Sequence, residues 1–236
     1  MKKKKINTLK RFIRFLIADT IWLLTHYGRL KAELRDDGID KVIPFKFIFW
    51  HSGFNYFTGL KEGKKVFIKV CIGEYNTIAT EAKLRKYPSI NWWIPKIVSF
   101  SLKGIPYIAT EFIETKRSSR TLKNEELKLV LNESCQILDT LHENGIVHRD
   151  IRPENLMLTD DNRLLLFDFG WAVFREDGYS KSKYDLIEKI LNMEYRDKNE
   201  KFDDAYAMYQ SLKELLGEDK SEDLIDVKNR IGRFVL

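Results

Sequence analysis

Between residues 148 and 170 the chain reads His148-Arg149-Asp150-Ile151-Arg152-Pro153-Glu154-Asn155, then an apolar stretch, then Asp168-Phe169-Gly170. No other feature narrows the fold as much, because it sets charged side chains at fixed offsets around a structure small enough to predict. Leu156-Met157-Leu158 and Leu164 to Phe167 have strand composition, and Asp160-Asp161-Asn162 between them is turn chemistry. A short hairpin is therefore expected, with Asp150 and Asn155 before it and Asp168 after it. One acid ahead of an apolar strand is an ordinary turn or cap residue, so the combination is what informs. Loops on a rigid scaffold are where chemically active side chains usually sit.

Upstream, Phe45 to Trp50, Tyr56 to Leu60, Val66 to Val70, Lys96 to Phe100 and Tyr107 to Phe112 read as strands. Turn signals fall at Gly63-Lys64-Lys65 and Lys103-Gly104-Ile105-Pro106. A short helix from Thr77 to Lys86 should stop at Tyr87-Pro88, since proline disfavours helix in the residue before it. From Asn124 to Asn144 apolar residues recur at helical spacing, and Gly145 follows as a C-cap. The expected organisation is a basic helical arm over 1–40, a strand-rich part over 41–115 and a helical part over 116–236, joined near Glu114 to Thr121.

The formal net charge is +6, but residues 1–35 hold ten Lys or Arg against only Asp19 and Glu33. The arm is thus basic and the remainder slightly acidic, which argues against a general nucleic-acid surface. Arg14 and Asp19 interrupt the apolar residues that follow Lys2 to Lys5, so neither an export signal nor a membrane-crossing helix is expected. Leu9, Phe12, Ile13, Leu16, Thr20, Leu23 and Leu24 make an amphipathic stripe. Two readings stand for it: packing on its own domain, and contact of residues 2–25 with an anionic membrane. Cys71 and Cys135 belong to no metal-spaced cluster and read as buried reduced thiols of a cytoplasmic protein, with the cytoplasmic face of the inner membrane as the peripheral variant.

The constellation at 148–170 resembles the protein kinases, and the resemblance extends over roughly residues 45–215. It implies an α+β, two-lobed protein-kinase-like fold: an antiparallel N-lobe sheet, a reduced helical C-lobe and nucleotide between them. It further implies ATP and Mg²⁺, with Asp150 accepting the proton of an acceptor hydroxyl and Asn155 and Asp168 holding the metal. Lys69 resembles the strand lysine on the α and β phosphates, and Glu81 its partner, with Glu74 the poorer candidate. Thr110, Glu111 and Ile113 look like the hinge beside the base, and Gly53 belongs to the phosphate-covering loop. Arg152 would stabilise charge on the transferred group. His148 reads as a packed structural histidine. An acid in Asp204-Ala205-Tyr206-Ala207 resembles the buried aspartate that holds the catalytic loop, with Asp203 as the neighbouring choice.

The chain departs from that pattern in three places. The phosphate loop is poor in glycine, Phe67 stands where the family has alanine, and no Ala-Pro-Glu closes the activation segment, where Tyr184 to Met193 instead repeats at helical spacing. A serine/threonine protein acceptor ranks first. A glycan or glycolipid sugar, as in the lipopolysaccharide core kinases with their similar reduced C-lobe, ranks second, and a nucleotide-binding regulator without turnover third. A monomer is expected.

Overall fold

A computed structural model of the chain describes residues 2–46, 53–73, 77–114, 124–161, 163–179, 202–217 and 222–232, with the side chains of α1 described from Leu16 onward. The expected helix at Tyr184 to Met193, most of the expected strand at Phe45 to Trp50, and Glu74 lie outside the described residues. The chain divides into two compact units, Met1–Ile78 with Ile97–Phe112, and Ala79–Lys96 with Ile113–Leu236.

The first unit holds α1 (Lys2–Asp36) and a five-stranded antiparallel sheet of β1 (Ile39–Pro44), β2 (Phe54–Lys61), β3 (Lys64–Cys71), β4 (Ile97–Ser101) and β5 (Tyr107–Glu111), in the order β1-β2-β3-β5-β4. The first described strand is Ile39–Pro44, which the sequence pattern did not mark, and Phe45 and Lys46 follow its end outside regular structure. Between β2 and β3, Glu62 and Gly63 both have positive φ, 51° and 76°. That is the hand a two-residue hairpin turn needs, and glycine reaches it without steric cost.

Alternation along β3 sends Val66, Ile68 and Val70 to one face and Phe67, Lys69 and Cys71 to the other. The first face forms a core with Leu30 and Leu34 of α1, joined by Ile39, Phe57, Tyr107 and Ala109. Polar bonds fix the helix as well. Tyr27 donates to the Val42 carbonyl at 2.6 Å, the Glu33 carboxylate accepts from the Ile105 amide at 2.9 Å, and the Tyr107 hydroxyl donates to Asp37. The C-terminal half of α1 is thus one wall of the sheet's core, and the unit takes in the arm that the sequence set apart at residue 40.

The second unit holds α2 (Ile78–Ala82, continued by a 3₁₀ turn Lys83–Lys86), α3 (Asn124–Glu143), α4 (Asp204–Leu216) and α5 (Ile225–Lys228). Two small antiparallel ribbons pair β6 (Ile146–Val147) with β9 (Val173–Phe174), and β7 (Leu156–Leu158) with β8 (Leu164–Leu166). The predicted hairpin is the β7–β8 ribbon. Gly145 ends α3 at φ 63°, and a Cβ there would come within 2.6 Å of the Arg175 side chain, so the position takes glycine on both counts. Arg230 grips both carboxylate oxygens of Asp139 at 3.0 Å, tying the end of α5 to α3. Cys71 and Cys135 are buried and form no disulfide.

Two changes test this packing in urea unfolding. Leu34→Ala empties a fully buried site and is expected to cost about 2–5 kcal/mol, whereas Leu24→Ala, at an exposed site on the same helix, should stay within about 0.5 kcal/mol. Asn55 on β2 is fully buried with neither amide atom hydrogen-bonded, so Asn55→Val is expected to raise the unfolding midpoint, since an unsatisfied buried polar group costs about 1–3 kcal/mol.

Candidate active site

The loop after β6 starts from a backbone problem. Arg149 turns left-handed at φ 66°, taking the chain out of the ribbon, and the His148 and Arg149 amides lose any strand partner. Both donate to one carboxylate: His148 N–H to Asp204 Oδ2 at 2.6 Å and Arg149 N–H to Asp204 Oδ1 at 3.0 Å. Asp203 caps α4 instead, accepting from the Ala205 and Tyr206 amides. The two acids thus divide the tasks that the sequence left open between them. Burial pushes the Asp204 carboxyl up to about 6, against the opposing pull of the two amides.

His148 is fully buried and meets Phe169 edge-on, with the ring centroids 4.3 Å apart. Its Nδ1 accepts from the Asp150 amide at 3.1 Å, which leaves the proton on Nε2, facing the Phe167 carbonyl at 3.2 Å. The histidine therefore ties the Asp150 loop to the segment that carries Asp168, and its neutral tautomer is fixed by those two bonds. Asn155 ends a 3₁₀ turn opened by Pro153, and its Nδ2 donates to both the carbonyl and Oδ2 of Asp150, at 2.8 and 3.0 Å. With its nitrogen end so engaged, Oδ1 is the end of that amide left to coordinate a cation. Asp168 sits half-buried at φ 65°, ψ 61°, in the left-handed region. An amide oxygen and one carboxylate are a sparse, hard donor set, and no group of three His, Cys, Asp or Glu suited to a metal occurs among the described residues. Such a set fits a small divalent cation that keeps waters and takes further oxygens from its ligand.

Other predicted residues are placed as follows. The Arg152 guanidinium is 3.0 Å from the Glu154 carboxylate. Arg149 donates from Nε to the Trp171 carbonyl at 2.7 Å and lies over Phe202. Glu81 is buried on α2. In the first unit, Lys69 is buried with its ammonium 4.4 Å from the Phe54 ring centroid. Thr110 and Glu111 end β5, opposite Phe67 and Val66, and Ile113 follows outside regular structure. The Gly53 carbonyl accepts from the Ile72 and Gly73 amides, making a turn at the mouth of β2–β3. Phe67 stacks on Tyr56 at 5.6 Å and meets Phe45 edge-on at 5.5 Å.

One feature of the second unit had no sequence signal. Lys83 pairs with Asp177, and Lys86 with Glu176 at 3.0 Å, while Tyr87 stacks on Phe174. The stretch after α2 is thereby clasped to the turn that follows Asp168-Phe169-Gly170, across some ninety positions of sequence.

The sequence profile of the protein kinase domain matches residues 70–200, more than half of the chain, beginning one position after Lys69. An Aurora kinase of Candida albicans is 36% identical over 87 residues, 37% of this chain and 15% of that protein. A probable serine/threonine-protein kinase of Clostridium acetobutylicum is 38% identical over 75 residues, 29% of this chain and 11% of that protein. The cell cycle protein kinase DBF2 of Saccharomyces cerevisiae is 27% identical over 159 residues, 64% of this chain and 27% of that protein. The chain thus spans between 11% and 27% of the length of these curated relatives.

The raised pKa of Asp204 gives a test by linkage. Its folded value near 6 lies above an unfolded value near 4, so this group's contribution to stability is fully present below about pH 4 and is lost as pH rises through about 6. The stability difference between wild type and Asp204→Asn should therefore shrink between pH 4.5 and pH 7 in urea titrations. A difference that stays constant with pH would remove Asp204 as the titrating group.

Proposed function

The chain belongs to the protein kinase domain family, and from that premise we propose that it is an ATP-dependent phosphotransferase acting on serine or threonine hydroxyls of a protein. One observation carries the reading: the Asp150 carboxylate is held at Oδ2 by Asn155, and its backbone by His148, in a loop pinned by Asp204. These bonds hold the side chain in one position, and a pre-positioned carboxylate is what a general base in phosphoryl transfer needs. Asp150 takes the proton that the acceptor hydroxyl gives up as its oxygen bonds to the γ-phosphorus. The bond from that phosphorus to the β-phosphate oxygen breaks, and ADP leaves with the electron pair.

Asn155 Oδ1 and the Asp168 carboxylate are the groups that would hold Mg²⁺, which when bound draws negative charge off the phosphates. Lys69 is assigned to the α and β phosphates and Glu81 to that lysine. Gly53 is assigned to the loop over the phosphates, and Thr110, Glu111 and Ile113 to the base. Arg152 serves the charge on the transferring group by exchanging its partly exposed partner Glu154, and exposed ion pairs are worth only about 0–1 kcal/mol. The serine/threonine acceptor is supported by similarity to the Clostridium acetobutylicum protein, whose own description is that of such a kinase.

The test is transfer of label from γ-labelled ATP to a generic protein acceptor and to extracted glycolipid, with Asp150→Asn as control. Wild type should label serine and threonine of the protein, and Asp150→Asn should lower that rate at least about 100-fold while nucleotide binding stays within about twofold. Label on glycolipid alone would transfer the reading to a sugar hydroxyl. Nucleotide binding without Asp150-dependent transfer to either acceptor would make the protein a regulator.

A further inference from the structure

The helix α1 has more apolar surface than its own unit uses. Leu30 and Leu34, with the partly buried Trp22, Leu23 and Tyr27, give one side of it to the core. Leu16, Ile17, Ile21 and Leu24 remain 48, 54, 55 and 82% exposed, and these four are close to half of the large exposed aliphatic residues among the described ones. Single exposed aliphatics are normal on any protein, and Leu16 falls on the same side as Leu34, but the other three lie within eight positions on one face of the helix and form a patch. At 3.6 residues per turn, Ile17, Ile21 and Leu24 fall within roughly 60° of arc, centred about 130° from Leu23, Leu30 and Leu34. The patch is thus a second face and not the frayed edge of the first.

The charge around this face is of one sign. Lys2 to Lys5, Lys10, Arg11 and Arg14 precede it on the same helix. The one acid among residues 1–32, Asp19, is buried, so its carboxyl does not lie on the outward side. We propose that the outward face of α1 over residues 17–24, with the basic run ahead of it, docks on an anionic phospholipid surface. The charge selects this occupant: a second copy of the helix would bring two strongly basic segments together, and a nucleic acid would leave the aliphatic side chains in water. No described helix is long and apolar enough to cross a membrane, so α1 lies in the plane of the interface, its aliphatic residues at the acyl boundary and its basic residues among the headgroups. Each lysine or arginine near such a surface is worth about a fivefold gain in partitioning.

The test is co-sedimentation of the full chain with vesicles of phosphatidylcholine alone and of phosphatidylcholine with about 30% phosphatidylserine. Wild type should bind the anionic vesicles at physiological ionic strength, release in high salt, and leave neutral vesicles unbound. Ile17→Glu with Leu24→Glu should reduce anionic-vesicle binding by at least about tenfold without lowering the unfolding temperature, because both sites are exposed. Replacing Lys2 to Lys5 by glutamine should weaken binding while leaving the aliphatic patch intact. Equal binding to both vesicles, no binding of wild type, or full binding by the glutamate variant would each overturn the proposal. A dimer in solution that the glutamate variant splits would give the face to a second copy instead.

Discussion

A single buried carboxylate anchors the loop that carries Asp150. Asp204 accepts two consecutive backbone amides from a loop that has left its ribbon, and a carboxylate is the side chain with two acceptor oxygens and no donor to oppose them. An amide in its place would turn one end into a donor facing a donor. Desolvation works against this arrangement, as the raised pKa records, and the two charge-assisted bonds oppose it. With the loop anchored at His148 and Arg149, the His148 ring can reach both the Asp150 amide and Phe167, and Asn155 can close on the Asp150 carboxylate from the other side. The orientation of Asp150 is therefore the last link of a chain of hydrogen bonds whose first link lies 54 residues downstream.

What could be read from the sequence was what is local. The β7–β8 hairpin, the reach of Asn155 to Asp150 and the left-handed Gly145 cap depend on neighbours a few positions away, and turn and strand chemistry express such relations directly. The strand Ile39–Pro44 went unmarked for a related reason. Ile39–Pro44 is short, alternates weakly and is broken by a register shift between Asp40 and Ile43, with Lys41 at positive φ, whereas Phe45 to Trp50 is the denser apolar run. Asp203 and Asp204 could not be separated because both suit a helix start, and only the direction of each side chain distinguishes a cap from a loop anchor. The clasp of Lys83 and Lys86 on Asp177 and Glu176 joins distant charged residues that look like ordinary surface, so no pattern marks it.

The strand β3 shows how one alternating segment serves two purposes. Its even-numbered residues, Val66, Ile68 and Val70, interlock with α1, while its odd-numbered residues carry Lys69 and the aromatic Phe67 to the opposite face. The unusual phenylalanine is accommodated there by Tyr56 and Phe45, so the departure is matched by neighbours of its own kind. Since β3 is central in the sheet, any shift of α1 against Val66, Ile68 and Val70 would move Lys69 with it.

The order in which the chain is made gives the docking of α1 a time axis. Leu30 and Leu34 leave the ribosome early, but Tyr107 and Ala109, which complete the core beneath them, follow roughly seventy residues later. At about 5–20 residues per second, that interval lasts several seconds. Through it Leu30 and Leu34 can meet Ile39, Phe57, Val66, Ile68 and Val70 as these are made, but the core beneath the helix stays incomplete until the strand that brings Tyr107 and Ala109 arrives.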